Sequence, residues 1–191
     1  MPSPRHLGTV SVRLPGERSR LRQIILYVAR KCREAEYFGA IKLNKIIWKA
    51  DFDSFAACGL PVTGREYRRH KLGPVPREMK RVHTDMLSEG AIRVERRKVG
   101  DYTEFRTIAQ DEPDMSWFTP EDMSFIDASI SHYWEMTGTE SSDESHGVAW
   151  KTRSNGDPMP YELSWLSDRP LGPAQTRRLK DMIARRRTAA Q

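Results

Sequence analysis

Four consecutive residues, Gly73-Pro74-Val75-Pro76, constrain this chain more than any others. Two prolines this close fix two φ angles and withhold two backbone donors, so no helix runs through them. The spacing predicts a strand-to-helix turn, preceded by a short extended piece over Val62 to Leu72 that Gly64 interrupts. A second Pro-x-Pro, Pro158-Met159-Pro160, follows Gly156 and again leads to an acid, Glu162. Such rigid segments lose little freedom on binding and make pre-organised edges for a partner.

Around these breaks the periodicity is helical. Leu21, Ile24, Ile25, Val28, Cys32 and Ala35 recur at spacings of three and four, predicting a helix over about 18–36 that ends before Gly39. Leu43, Ile46, Ile47, Ala50 and Phe55 predict a second over about 41–58, closed by Gly59 and Pro61. A third, over about 76–89, should bury Met79, Val82, Met86 and Leu87 and stop at Gly90. Ile92 and Val94 then alternate with charges, Gly100-Asp101 supplies a turn, and Tyr102 to Ile108 returns as a β-hairpin. Helix followed by basic hairpin is the local order of a winged-helix unit. Thr119-Pro120-Glu121-Asp122 opens a further helix through Met136, ending at Gly138. A short helix capped by Ser141 or Ser142 and reaching Lys151 follows. The fold class is α+β, mainly helical, with a β-hairpin or small antiparallel sheet. It divides into a lead over 1–17, a domain over 18–168, and a linker with a basic helix over 169–191.

At 191 residues the chain is one domain with tails, large enough to bury roughly 70% of its extended surface without disulfide or metal. No stretch reaches the about 18 uncharged apolar residues of a membrane helix, and the first residues lack the apolar core of a secretory signal. The expected address is the cytoplasm. The net charge of +6 is unevenly spread: residues 111–168 hold 13 acids against Lys151 and Arg153, while the flanking segments are basic. An acidic segment folded onto basic ones explains this pattern without any outside partner, so the charge alone is a weak argument for nucleic acid.

Enzyme signatures are lacking. His6, His70, His83, His132 and His146 show no dense ligand spacing, and Cys32 and Cys58 form no CxxC pair. The glycines are scattered singly, so no phosphate-cradling loop is present. Asp51 and Asp53 lie on different sides of a helix. No enzyme activity, cofactor or metal is expected. His146 and Trp150, four apart, share a face if helical, either as a polar-aromatic site or as a satisfied core histidine with packing. Lys42, Lys45 and Lys49 flank the apolar stripe of the second helix, where a solvated face or pairing with the 111–168 acids is expected over an acidic partner. No heptad pattern sets an oligomeric state.

The run from Lys42 to Met79 resembles the signature of the Panacea, or SocA-like antitoxin, domain. The likeness lies in Lys42-Leu43-x-Lys45, Ala50-Asp51, Gly59, Thr63-Gly64, Tyr67 and Gly73-Pro74-Val75-Pro76. Ser145-His146, Trp150 and Pro160-Tyr161-Glu162 resemble the family's second block, so the likeness spans about 42–162. Trp48 stands where a Leu-Tyr is commoner. The resemblance implies a non-enzymatic protein of bacteria or phages that neutralises a toxin encoded beside it by direct protein contact. Lys42, Lys45, Asp51, Tyr67, Gly73, Pro74, Pro76, His146, Trp150, Pro160 and Tyr161 are then the partner-binding candidates, around the Pro-x-Pro edges and the exposed side of the first two helices. Two alternatives stay open. One is a winged-helix-like nucleic-acid regulator using Arg77, Lys80, Arg81, Arg93, Arg96, Arg97 and Lys98, although Glu78, Asp85, Glu89 and Glu95 interleave that surface. The other is an adaptor delivering its partner to a protease.

Overall fold

The computed structural model describes residues 17–166, together with Leu14 and Arg177 as isolated positions. The lead expected over 1–17 and the linker and basic helix expected over 169–191 lie, apart from Leu14, Glu17 and Arg177, outside the described residues. Helix α1 spans Glu17–Lys31 and α2 spans Ala40–Cys58. Strands β1, Tyr67–His70, and β2, Gly73–Pro76, lead into α3, Met79–Ser88. The hairpin of β3, Ile92–Val99, and β4, Tyr102–Ala109, follows. After a 3-10 turn at Met115–Trp117 come α4 over Pro120–Tyr133, α5 over Gly138–Glu144 and α6 over Val148–Lys151. A two-residue strand β5, Pro158–Met159, and a 3-10 turn at Tyr161–Trp165 close the described chain. The fold is α+β and mainly helical, as its periodicities indicate.

Helix α2 is the axis of the molecule. Its Leu43, Ile46, Ile47 and Ala50 join Leu21, Ile24, Ile25 and Val28 of α1 and Ile126, Ile130 and Tyr133 of α4 in the main core. Farther along, Phe52 and Phe55 enter a second cluster with Tyr67, Met159, Tyr161 and Leu163. Gly59 ends α2 in the left-handed region at φ 79°, its N–H bonded to the Phe55 carbonyl. The second cluster sits against a three-stranded antiparallel sheet ordered β2-β1-β5. Tyr67 pairs with Pro76 on one side and Met159 on the other. The Pro-x-Pro segments supply both edge strands, where a missing donor costs no ladder bond.

Several local expectations differ from the structure. Gly73-Pro74-Val75-Pro76 is itself strand β2, and α3 starts only at Met79. Leu87 is 39% exposed rather than buried, lying on the outer side of α3. Helix α1 stops at Lys31 because another group satisfies the chain's next carbonyls: the Arg106 guanidinium of β4 donates to Arg33, Ala35 and Glu36. Gly138 does not terminate α4 but opens α5, which is capped by Thr137 in a reciprocal box with Glu140 rather than by Ser141 or Ser142. His146 therefore falls between α5 and α6 instead of on one helix with Trp150. The β3–β4 hairpin follows α3 as expected, in register from Ile92↔Ala109 to Val99↔Tyr102 around Gly100.

The acidic segment does fold onto a basic one. Arg20 of α1 pairs with Asp122 at 3.0 Å, Arg22 with Asp111 at 3.8 Å, and Arg30 with Glu112. Among the described residues no helix is long and apolar enough to cross a membrane.

Candidate functional site

The two sequence blocks meet on one side of α2. Lys45 is 1% exposed, its Nζ making one long bond of 3.4 Å to the Pro74 carbonyl. Gly73 has φ +100°, and a Cβ there would collide with Lys45 Nζ and Ser145 Oγ. One glycine thus lets α2, β2 and the end of α5 close on a single point. Burial disfavours the ammonium, so the Lys45 pKa falls to about 7, with Glu144 opposing the shift. Lys42 is also 1% exposed and donates at 2.9 Å to the carbonyl of Trp134, which caps α4. There a cation meets the negative end of a helix dipole, although burial lowers its pKa too. The solvated face expected for these two lysines is therefore wrong. Only Lys49 stays near solvent, in an ion pair with Asp53 at 3.0 Å.

Six residues beyond Lys45 comes Asp51, fully buried. It accepts from the Thr63 N–H at 2.5 Å, from the Thr63 hydroxyl, and from Tyr67 Oη at 2.6 Å. Burial pushes its carboxyl up to about 6 against these three bonds. Tyr161 Oη donates at 2.6 Å to the Arg65 carbonyl, and Arg65 pairs with Glu78 at 2.8 Å. Asp51, Tyr67 and Tyr161 thereby fasten α2, β1 and the final 3-10 turn together. Pro74 and Pro76 are buried on β2 and Pro160 is half-buried. Asp53 is exposed, so the two acids of α2 do face different ways.

His146 and Trp150 come together although not on one helix. Their rings stack with centroids 3.7 Å apart, and the Arg69 guanidinium lies 3.7 Å from the Trp150 centroid. Trp150 Nε1 donates to the His70 carbonyl at 2.8 Å, so the stack fastens α6 to β1. The His146 pKa is lowered, first by burial and then by Lys45, with Asp143 opposing. Both causes favour the neutral form of a ring that lies flat on the Trp150 indole.

The basic hairpin is separate. Arg77 pairs with Glu66, Arg81 with Asp85 at 3.9 Å, and Arg93 with Glu95. Lys80, Arg96, Arg97 and Lys98 are exposed and have no carboxylate partner among the described residues. His83 Nε2 and Thr107 Oγ1, 3.0 Å apart, join α3 to β4. Sequence reasoning missed Arg106, and it placed Thr63 and Ser145 in the motif without counting them among the candidate site residues. Arg106 carried the clearest signal, a cation inside an apolar return strand. Among the described residues no three or more His, Cys, Asp or Glu gather to hold a metal ion.

No curated protein and no solved structure significantly matches this chain. The family model for the SocA-like antitoxin, Panacea domain, matches residues 43–151, more than half of the sequence. It takes in Lys45, Asp51, Tyr67, Gly73 to Pro76, His146 and Trp150, the residues that hold α2, β1, β2 and α6 in one arrangement. That shared framework places the chain in the SocA-like antitoxin family, as a Panacea-domain protein with an antitoxin role.

Proposed function

We propose that this protein neutralises a toxin protein by binding it directly and covering its active surface, with no bond made or broken. The observation that carries the reading is the burial of the family residues. Lys45, Asp51, Tyr67 and Tyr161 are sealed inside and spend their polar groups on one another's elements. Their work is to hold a shape, and recognition falls to the exposed residues around them. The exposed residues around the proline-stiffened strands β2 and β5, and the outer sides of α1 and α2, form the candidate contact surface. A stable complex would cover about 1,200–2,000 Å² in total, with aromatic and arginine anchors. Residues 18–168 act as the binding domain, in the cytoplasm.

The test is co-expression with the protein encoded beside it, reading growth and co-elution through size exclusion. Rescue of growth with a stoichiometric complex supports the reading; toxicity that persists with no complex removes it. Partner half-life separates occlusion, which lengthens or preserves it, from delivery to a protease, which shortens it. A second reading, nucleic-acid regulation, is favoured by Lys80, Arg96, Arg97 and Lys98, four exposed cations without carboxylate partners on α3 and the hairpin. Four phosphate contacts would give a log–log salt slope of about −3.6, and a flat response removes that reading.

A further inference from the structure

We infer that the outer face of the β3–β4 hairpin binds single-stranded nucleic acid, with Lys80, Arg96 and Lys98 meeting phosphates and the Phe105 ring stacking on a base. This deepens the second reading above and rests on it, by naming the form of nucleic acid the surface takes.

Register sorts the hairpin's charges by face. Residues directly opposite each other in an antiparallel pair share a side. Arg96 stands across from Phe105 and Lys98 across from Thr103, so all four lie on one side with Val94. Glu95 and Glu104 alternate onto the other side, which carries the buried Arg106. There Glu95 pairs with Arg93 at 3.0 Å and Glu104 with Arg106 at 2.9 Å. The outer face of the two strands thus presents cations and apolar groups and no carboxylate.

Helix α3 closes the base of this face, where His83 Nε2 lies 3.0 Å from Thr107 Oγ1. Lys80, one helical turn from His83 on the same side of α3, adds a further cation. The acids around α3 are each engaged elsewhere: Glu78 with Arg65, Asp85 with Arg81, and Glu89 with Arg22. Lys80, Arg96 and Lys98 are exposed and unpaired among the described residues.

The ring selects among anions. Phe105 is 55% exposed, and among the described residues no other ring or cation covers it. An acidic peptide would satisfy the cations and leave this ring bare, whereas a nucleotide brings a phosphate and a flat base together. Duplex bases are stacked on one another, so only an unpaired strand can lay one on Phe105. Near the tip on the opposite side, exposed Arg97 and Tyr102 offer the same two chemistries to a strand that passes round the hairpin.

The experiment follows fluorescence anisotropy of short labelled oligo(dT), oligo(U) and a DNA duplex of equal length, titrated with the full-length protein at several salt concentrations. A single strand should bind more tightly than the duplex. Four phosphate contacts, Arg97 included, give a log–log salt slope of about −2.8 on a single strand. The double variant Arg96→Ala, Lys98→Ala should reduce that slope by about 1.4. Phe105→Leu, apolar but without a ring, should weaken binding at least about fivefold, and Phe105→Tyr, which restores the ring, should recover it. Melting curves verify that each variant is folded. Tighter binding of oligo(U) or of oligo(dT) assigns RNA or DNA, and either supports the inference. A duplex bound more tightly, or Phe105→Leu binding like wild type, overturns it and leaves nucleic-acid regulation standing. No salt-dependent binding to any of the three overturns both. If the double variant releases the genetically linked toxin while no oligonucleotide binds, the hairpin serves an acidic protein partner and the inference falls.

Discussion

Lys45 and Asp51 are opposite charges that burial treats oppositely with pH. The unfolded lysine keeps its proton to about pH 10.4, whereas the folded one gives it up near 7. Between those values the unfolded state binds more protons, so stability rises with pH. The Asp51 carboxyl, at about 6 when folded, holds a proton that the unfolded chain loses at about 3.9. Its contribution therefore falls as pH rises from about 4 to 6. Together the two groups place a shallow minimum of stability between about pH 6 and 7. Urea midpoints should rise from pH 7 to 9 in wild type and lose that rise in Lys45→Met; an unchanged slope in the variant would exclude Lys45 as its source. Gly73→Ala at φ +100° combines left-handed strain with a collision against Lys45 and Ser145. It is expected to cost about 2 kcal/mol or more in denaturant unfolding.

At the scale of elements, what was legible followed from local pattern. Helix α2 had an unbroken apolar stripe and Gly59 at its end, and the β3–β4 hairpin had alternation around Gly100-Asp101. Strand β4 shows where pattern fails. Residue type favours Phe105 inside and Arg106 outside, yet Phe105 is half exposed, and Arg106 is buried on the face it shares with Ile108. The inversion arises because the corner between α1 and α2 offers three carbonyls with no helical partner, and only a guanidinium serves them all. No window of sequence contains that demand. The pairing of β1 with β5 is equally invisible, joining residues far apart through Tyr67 and Met159. In the site, the motif residues were legible but the burial of Lys42 and Lys45 was not, since each flanks an apolar stripe and needs a distant carbonyl to be tolerated. Arg106 also binds Glu104, which accepts from the Phe38 N–H at 2.7 Å just before α2. Arg106→Ala strands a carboxylate and three carbonyls, and should cost about 3–5 kcal/mol. Hydrogen exchange should report it as faster exchange from Phe38 to Leu43; protection equal to wild type there would disprove the strut.

Across the whole molecule, charge is sorted into a basic α1 and an acidic run that begins at Asp111 and wraps back over it. The contacts between them differ in kind. Arg22 and Arg30 meet Glu89, Asp111 and Glu112 near or at the surface, where each pair contributes about 0–1 kcal/mol. Arg20 is nearly buried, and besides Asp122 it donates at 2.7 Å to the Val62 carbonyl and to that of Trp117. One side chain thereby ties α1 to the loop after α2 and to the start of α4. Salt distinguishes the two kinds, because a Debye length of about 3 Å at 1 M NaCl screens surface pairs and leaves buried bonds largely intact. Raising NaCl to about 1 M should lower wild-type stability by about 1 kcal/mol. The double variant Arg22→Ala, Arg30→Ala should lose most of that dependence. Arg20→Ala should instead cost about 2–4 kcal/mol at every salt concentration, since it leaves buried acceptors unbonded. Urea titrations of the three proteins at two salt concentrations measure both terms. If the Arg20→Ala loss faded with salt as the surface pairs do, the acidic run would be held by charge alone, and the tie between α1, α2 and α4 would not exist.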